Sequence, residues 1–204
     1  MKRIRILPLA MLTAIFLPAF GCSSTPDMSA EEAANQISDH LVAGKVKEAQ
    51  EIHEDLEDSA HHREAVFQVV YARAGDFQRK GRYDIAARKL RFLYEYYPEK
   101  AAPRIALLYA LMGERAMRRD APTAKQIKEA KALVKDVRDH EDETTANLWA
   151  SLVAAQVAVD EGRIEEARKE FSSFKAKWDG KPREMRIYTT EFERYFATHT
   201  GDEA

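Results

Sequence analysis

Six histidines, one cysteine and several adjacent carboxylates are the groups of this chain that could hold a metal or carry a reaction. The histidines are His40, His53, His61, His62, His140 and His199. His61 and His62 are neighbours, and adjacent side chains on a helix point about 100° apart, a poor chelate. His40 and His53 are expected on facing helices of one hairpin and can approach each other, but zinc takes roughly three or four ligands. Cys22 is the only cysteine, which excludes an internal disulfide and a cysteine-based metal site. The sequence holds no glycine-rich phosphate loop, no His-Glu-x-x-His and no nucleophile elbow. Carboxylate pairs such as Glu31/Glu32 and Glu165/Glu166 read as solvated helix faces. A catalytic acid–base pair needs a pocket that separates its pKa values, and no sequence feature marks one. The expectation is a protein that is not an enzyme, with no cofactor and no metal.

Charge points away from nucleic acid. The formal net charge is −2, and no basic stripe of the kind a phosphate backbone requires is present. Glu51 to Asp58 is acidic, whereas Arg79-Lys80-Gly81-Arg82 and Arg115 to Arg119 are basic. Solvation of helix faces accounts for these runs; a surface divided by charge to orient a protein partner is the sharper reading. Hydrophobic residues at 45% and charged residues at 32% suit a helical protein with large wetted faces.

The elements that would position these groups begin with a leader. Met1 to Cys22 reads MKRIRILPLAMLTAIFLPAFGC, with Lys2, Arg3 and Arg5 ahead of an uncharged apolar run from Ile6 to Phe20. That is the layout of a secretory signal; a membrane span needs about 20 apolar residues, and this run is shorter and carries Pro8 and Pro18. Its end, Ala19-Phe20-Gly21-Cys22, resembles the lipobox of bacterial lipoproteins, although Ala19 and Phe20 depart from the favoured Leu and small residue. The resemblance implies a signal peptide over 1–21, cleavage and lipidation at Cys22, and a flexible tether over 22–28. Ser23 follows the cysteine rather than the Asp associated with inner-membrane retention, so the outer membrane, facing the periplasm, is the expected location.

Beyond the tether the apolar residues recur at helical spacing. Ser29 to Glu32 reads as a capping box opening a first helix that carries Ala33, Ala34, Ile37 and Leu41, closed by Gly44 and followed by a partner with Val46, Ala49, Ile52 and Leu56. Phe67 to Lys100 spaces Ala74, Phe77, Gly81, Tyr83, Ala86, Leu90, Leu93 and Pro98 as two helices folded back on each other. Tyr109, Met112, Gly113 and Ala116 begin a third unit, with an expanded turn over Arg118 to Ala124 and a second helix holding Ile127, Ala130, Val134 and Val137. Ala155, Ala158, Gly162, Ile164, Ala167, Phe171 and Phe174 form a fourth. A last amphipathic helix, about 183–198, carries Met185, Tyr188, Phe192, Tyr195 and Phe196. The central alanines 49, 86, 130 and 167 are 37, 44 and 37 apart, somewhat above the ~34 of an ideal repeat.

These positions resemble the tetratricopeptide repeat (TPR). The resemblance implies an all-α chain: a TPR-like αα-hairpin superhelix over 29–200, with about four helix pairs and a C-terminal capping helix, nine helices in all. It also implies a partner-binding groove lined by the first helices, with Tyr71 and Gln78 from the second unit. The third supplies Leu107, Ala110 and Glu114, and the fourth Trp149, Leu152 and Gln156; Trp149 is as well suited to a core position. Phe92 stands where the family usually carries a polar residue, so an exposed aromatic is expected there. Together these residues describe a lipid-anchored adaptor or scaffold for another envelope protein or peptide, similar to TPR lipoproteins of outer-membrane protein assembly and of pilus or secretin biogenesis. The alternative is a cell-wall enzyme or ligand-binding protein that uses the repeat concavity as a pocket.

Overall fold

Glycine turns set the geometry of this chain. The computed structural model describes residues 28–56, 60–117, 120–142, 144–181, 183 and 185–200. The leader, Cys22 and the tether up to residue 27 lie outside them. Among the described residues there are nine helices and no strand. They are α1 (Ala30–Ala43), α2 (Val46–Asp55), α3 (Ala60–Arg79), α4 (Tyr83–Tyr96), α5 (Ala101–Met117), α6 (Ala124–His140), α7 (Thr144–Asp160), α8 (Ile164–Lys177) and α9 (Met185–Thr200). None of the described helices is long and apolar enough to cross a membrane.

Three of the connections are copies of one turn. Gly44, Gly81 and Gly162 take φ of 80°, 70° and 72°, a left-handed conformation that side chains with a Cβ rarely adopt. Each glycine N–H donates three residues back, to Leu41, Gln78 and Val159, and the next N–H donates five back, to His40, Phe77 and Ala158. That pair of bonds is the Schellman motif, which satisfies the orphan carbonyls at a helix end. The residue after each glycine, Lys45, Arg82 or Arg163, is already the N-cap of the next helix. One glycine therefore stops a helix and starts its partner within three residues.

The α5–α6 connection lacks that glycine and behaves differently. Six residues separate Met117 from Ala124, and α6 opens instead on a capping box in which Thr123 and Gln126 bond each other's backbone N–H. Released from a tight turn, α6 leans mainly on α7 and only lightly on α5, whereas α3/α4 and α7/α8 pack as intimate pairs.

The core runs through the chain as three linked clusters. α1, α3 and α4 enclose Ile37, Leu41, Val70, Leu93 and Tyr97; α4 to α7 enclose Leu90, Leu107, Leu133 and Leu152; and α7 to α9 enclose Ala155, Ala158, Ala167 and Phe192. The fully buried alanines 49, 86 and 167 mark close helix crossings, and Ala130 is nearly so. Gly113 of α5 serves the same end: a Cβ there would run into the ring of Tyr83. The α9 helix starts at Met185 and lies against α5 and α7, with Phe192 4.6 Å from Phe171 of α8.

Two sequence expectations change here. Phe92 is 2% exposed, because α2 sends His53 onto α4, where its ring meets Phe92 at 5.4 Å, Tyr96 at 4.5 Å and Tyr97 at 5.7 Å. Val46 stays on the surface, and within α2 only Ala49 is buried. At the first helix, the Ser29 hydroxyl accepts from the Glu32 N–H at 3.2 Å, as expected of that N-cap.

Candidate functional site

The eight residues assigned to a groove separate into three sets. Leu107, Ala110, Trp149 and Leu152 are between 0% and 5% exposed and belong to the α4–α7 core cluster. Burial rather than contact with a partner explains them: the Trp149 ring stands edge-on to Tyr109 at 5.2 Å. Tyr71 and Gln78 are tied into the chain. Tyr71 stacks on Phe67 at 5.6 Å, and its half-burial raises the phenol above its usual range. Gln78 donates its amide to the Ala106 carbonyl at 3.1 Å, fastening α3 to α5.

Glu114 and Gln156 remain, and the structure brings them together. Both line a cleft beside α6, formed where the expanded turn lets that helix swing away from α5. The cavity within it is about 50 Å³, room for about one or two water molecules. Its floor is apolar, from Leu111, Ile127, Ala130, Val153 and Val157. Three charged residues complete the wall: Arg115, read from the sequence only as part of a basic run, and Arg91 and Asp160, which sequence reasoning did not single out. Arg91 of α4 pairs with Glu129 of α6 and reaches Glu114 of α5 at 3.5 Å. Arg115 of α5 pairs with Asp160 at the end of α7, where only 14% and 5% of the side chains are exposed. These pairs bridge four helices.

Balanced charge above an apolar floor suits a peptide group and a small side chain better than a phosphate or an isolated ion. The one signal for this cleft in the sequence was the seven-residue stretch Arg118 to Ala124, which breaks the glycine-turn pattern. The two groups whose protonation is pushed furthest, Lys89 and Tyr97, are packed between helices and line neither this cleft nor its neighbour.

A second and larger opening lies on the other side of α6, toward α8, with Val157 common to both. The expected approach of His40 to His53 is replaced by contact of His53 with α4: its Nε2 and the Tyr97 hydroxyl are 3.2 Å apart. Among the described residues no group of three or more His, Cys, Asp or Glu is placed to hold a metal ion. No protein-family model, curated protein or solved structure matches the chain.

Proposed function

We propose that this chain is a lipid-anchored, TPR-like adaptor that holds another envelope protein at the periplasmic face of the bacterial outer membrane. The observation that carries the reading is the threefold recurrence of one turn, at Gly44, Gly81 and Gly162, each joining two helices that pack together. Repeated hairpins with clefts between them offer a partner extended, shallow surfaces. The leader ending at Cys22 supports the address, and the paired charges over apolar floors support a polypeptide partner. Burial of Leu107, Ala110, Trp149 and Leu152 removes those four side chains from the first-helix concavity for the adaptor and equally for the alternative, a cell-wall enzyme or ligand binder.

Two experiments test the proposal. Purification of the tagged full-length chain from solubilised envelopes should recover one protein in stoichiometric amount, and recovery of none where known complexes survive counts against the adaptor. Cys22→Ala should leave the precursor uncleaved or release the protein from membranes. An unchanged N-terminal mass together with unchanged membrane fractionation removes the anchor from the proposal.

A further inference from the structure

The opening between α6 and α8 encloses about 290 Å³, close to the lower end of ligand-binding cavities. Its floor is Val134, Ala154 and Val157. The two valines are 7% and 6% exposed and fixed by the core, while the small Ala154 leaves the space above it open. Lys131, Lys135 and Arg138 make one rim; Glu166 and Glu170 make the other, with Asp139 and Arg163 at the corners. Ion pairs close both ends, Lys131 with Glu161 at 3.1 Å and Arg138 with Glu170 at 2.7 Å. Seven residues of α6 separate the two ends, about 10 Å along the helix.

We infer that this cleft receives one bulky apolar side chain of a partner protein, presented between an acidic and a basic residue. The inference rests on the adaptor reading and moves the contact from the first-helix face to the second helices, α6 and α8. A partner helix, about 10–12 Å across, is wider than the roughly 10 Å between the Lys131–Glu161 and Arg138–Glu170 pairs, whereas a single aromatic side chain fits between them. A side chain seated on a dry apolar floor inside a charged rim has the anatomy of a binding hot spot. The charges at mid-rim are the replaceable ones. Lys135 is 79% exposed and, among the described residues, pairs with Asp139 of its own helix, and Glu166 is 52% exposed and pairs with Arg163 three residues before it. Exposed pairs of this kind are worth little, so each can exchange its partner for a charge flanking the anchor.

The probe is the synthetic peptide acetyl-Glu-Ala-Trp-Ala-Lys-amide, titrated into the full-length chain and followed by amide NMR. Shifts should gather at Val134, Lys135, Ala154 and Val157, and should vanish when the peptide's Trp is replaced by Ala. Ala154→Trp fills the cleft and should abolish the shifts while the melting temperature stays at the wild-type value. Lys135→Glu should weaken Kd about fivefold. Shifts elsewhere, none at millimolar peptide, or wild-type binding by folded Ala154→Trp overturns the inference. Should Ala154→Trp not fold, the exposed Lys135→Glu and Glu166→Lys variants decide, and an unchanged Kd in both overturns it. An envelope partner recovered equally by wild type and Ala154→Trp rejects this cleft and leaves the adaptor standing. Peptide binding as described with no envelope partner recovered supports the cleft and rejects the adaptor.

Discussion

Lys89 is wholly buried in the middle of α4, and among the described residues no carboxylate forms an ion pair with it. Its ammonium donates to the carbonyl and the hydroxyl of Ser38 on α1, each at 2.6 Å, and lies 5.8 Å from the ring centre of Phe77. Next to it, Arg88 donates to the carbonyls of Leu41 and Val42 at 2.8 and 3.2 Å, so α4 caps the negative end of α1 with two cations. Burial is the main force that lowers the Lys89 pKa to about 8; Arg73 and Arg88 add to the shift, and Asp39 opposes it. The stability consequence follows from proton counting. Below about pH 8 both the folded and unfolded chains carry the proton, and the cost of burying the charge is borne in full. Between about 8 and 10.5 the unfolded chain binds more protons, so this group makes stability rise with pH. Tyr97 acts the other way: burial raises its phenol, the folded chain keeps a proton that the unfolded chain loses, and stability falls above pH 10. Lys89→Met should remove the first trend and keep the second. Urea unfolding at pH 7, 8.5 and 10 should show the wild type gaining on the variant, by on the order of 1–3 kcal/mol. Parallel pH profiles for the two proteins would sink this account.

Among the elements, α2 has one buried residue, Ala49, and α1 as its principal neighbour. What fixes its far end is the aromatic group in which His53 meets Phe92, Tyr96 and Tyr97. Phe92→Ala should therefore cost about 3–5 kcal/mol, with hydrogen exchange rising first in α2; a variant as stable as wild type would show that the cluster contributes nothing. A sequence reader sees Phe92 as an outward position because it assigns each helix to its own pair. The burial comes from a helix of the preceding unit, and no spacing within 67–100 reports that. Lys89 is buried for a similar reason: α4 touches α1, α3 and α5, and so is covered on nearly every side. Trp149 and Leu152 were legible as helix positions but not as to which face the neighbouring helices cover. The turns, by contrast, could be read directly, since a glycine at a left-handed helix end is required by backbone geometry whatever packs above it. The stretch before α6 announced a departure in length, but not that α6 would move toward α7 and leave a cleft on either side.

At the scale of the whole molecule the question is whether these helices behave as an array or as one cooperative bundle. Most of the close helix contacts are between elements one or two apart in the chain, as a linear stack requires; α1 with α4 and α5 with α9 reach further. The α9 helix is the test piece because it covers an end. Phe192 is 3% exposed over Ala155, Ala158 and Ala167, Phe196 packs beside it, and Lys175 of α8 reaches Glu193 at 2.9 Å. Met185, fully buried, joins the α4–α7 cluster. Ending the chain after Asp179 would bare that apolar face and leave α8 supported mainly by α7. In an array the loss should stay local: hydrogen exchange should accelerate in α7 and α8, less in α5, and hardly at all in α1 to α4. The melting transition should broaden or split, because the two ends no longer unfold together. The bared face should also promote association at high concentration, visible as a rise in light-scattering mass. If exchange rises equally from α1 to α8 and melting stays a single sharp step, the helices form one cooperative core. The threefold turn would then be a local feature, and the adaptor proposal would lose the repeat architecture on which it stands.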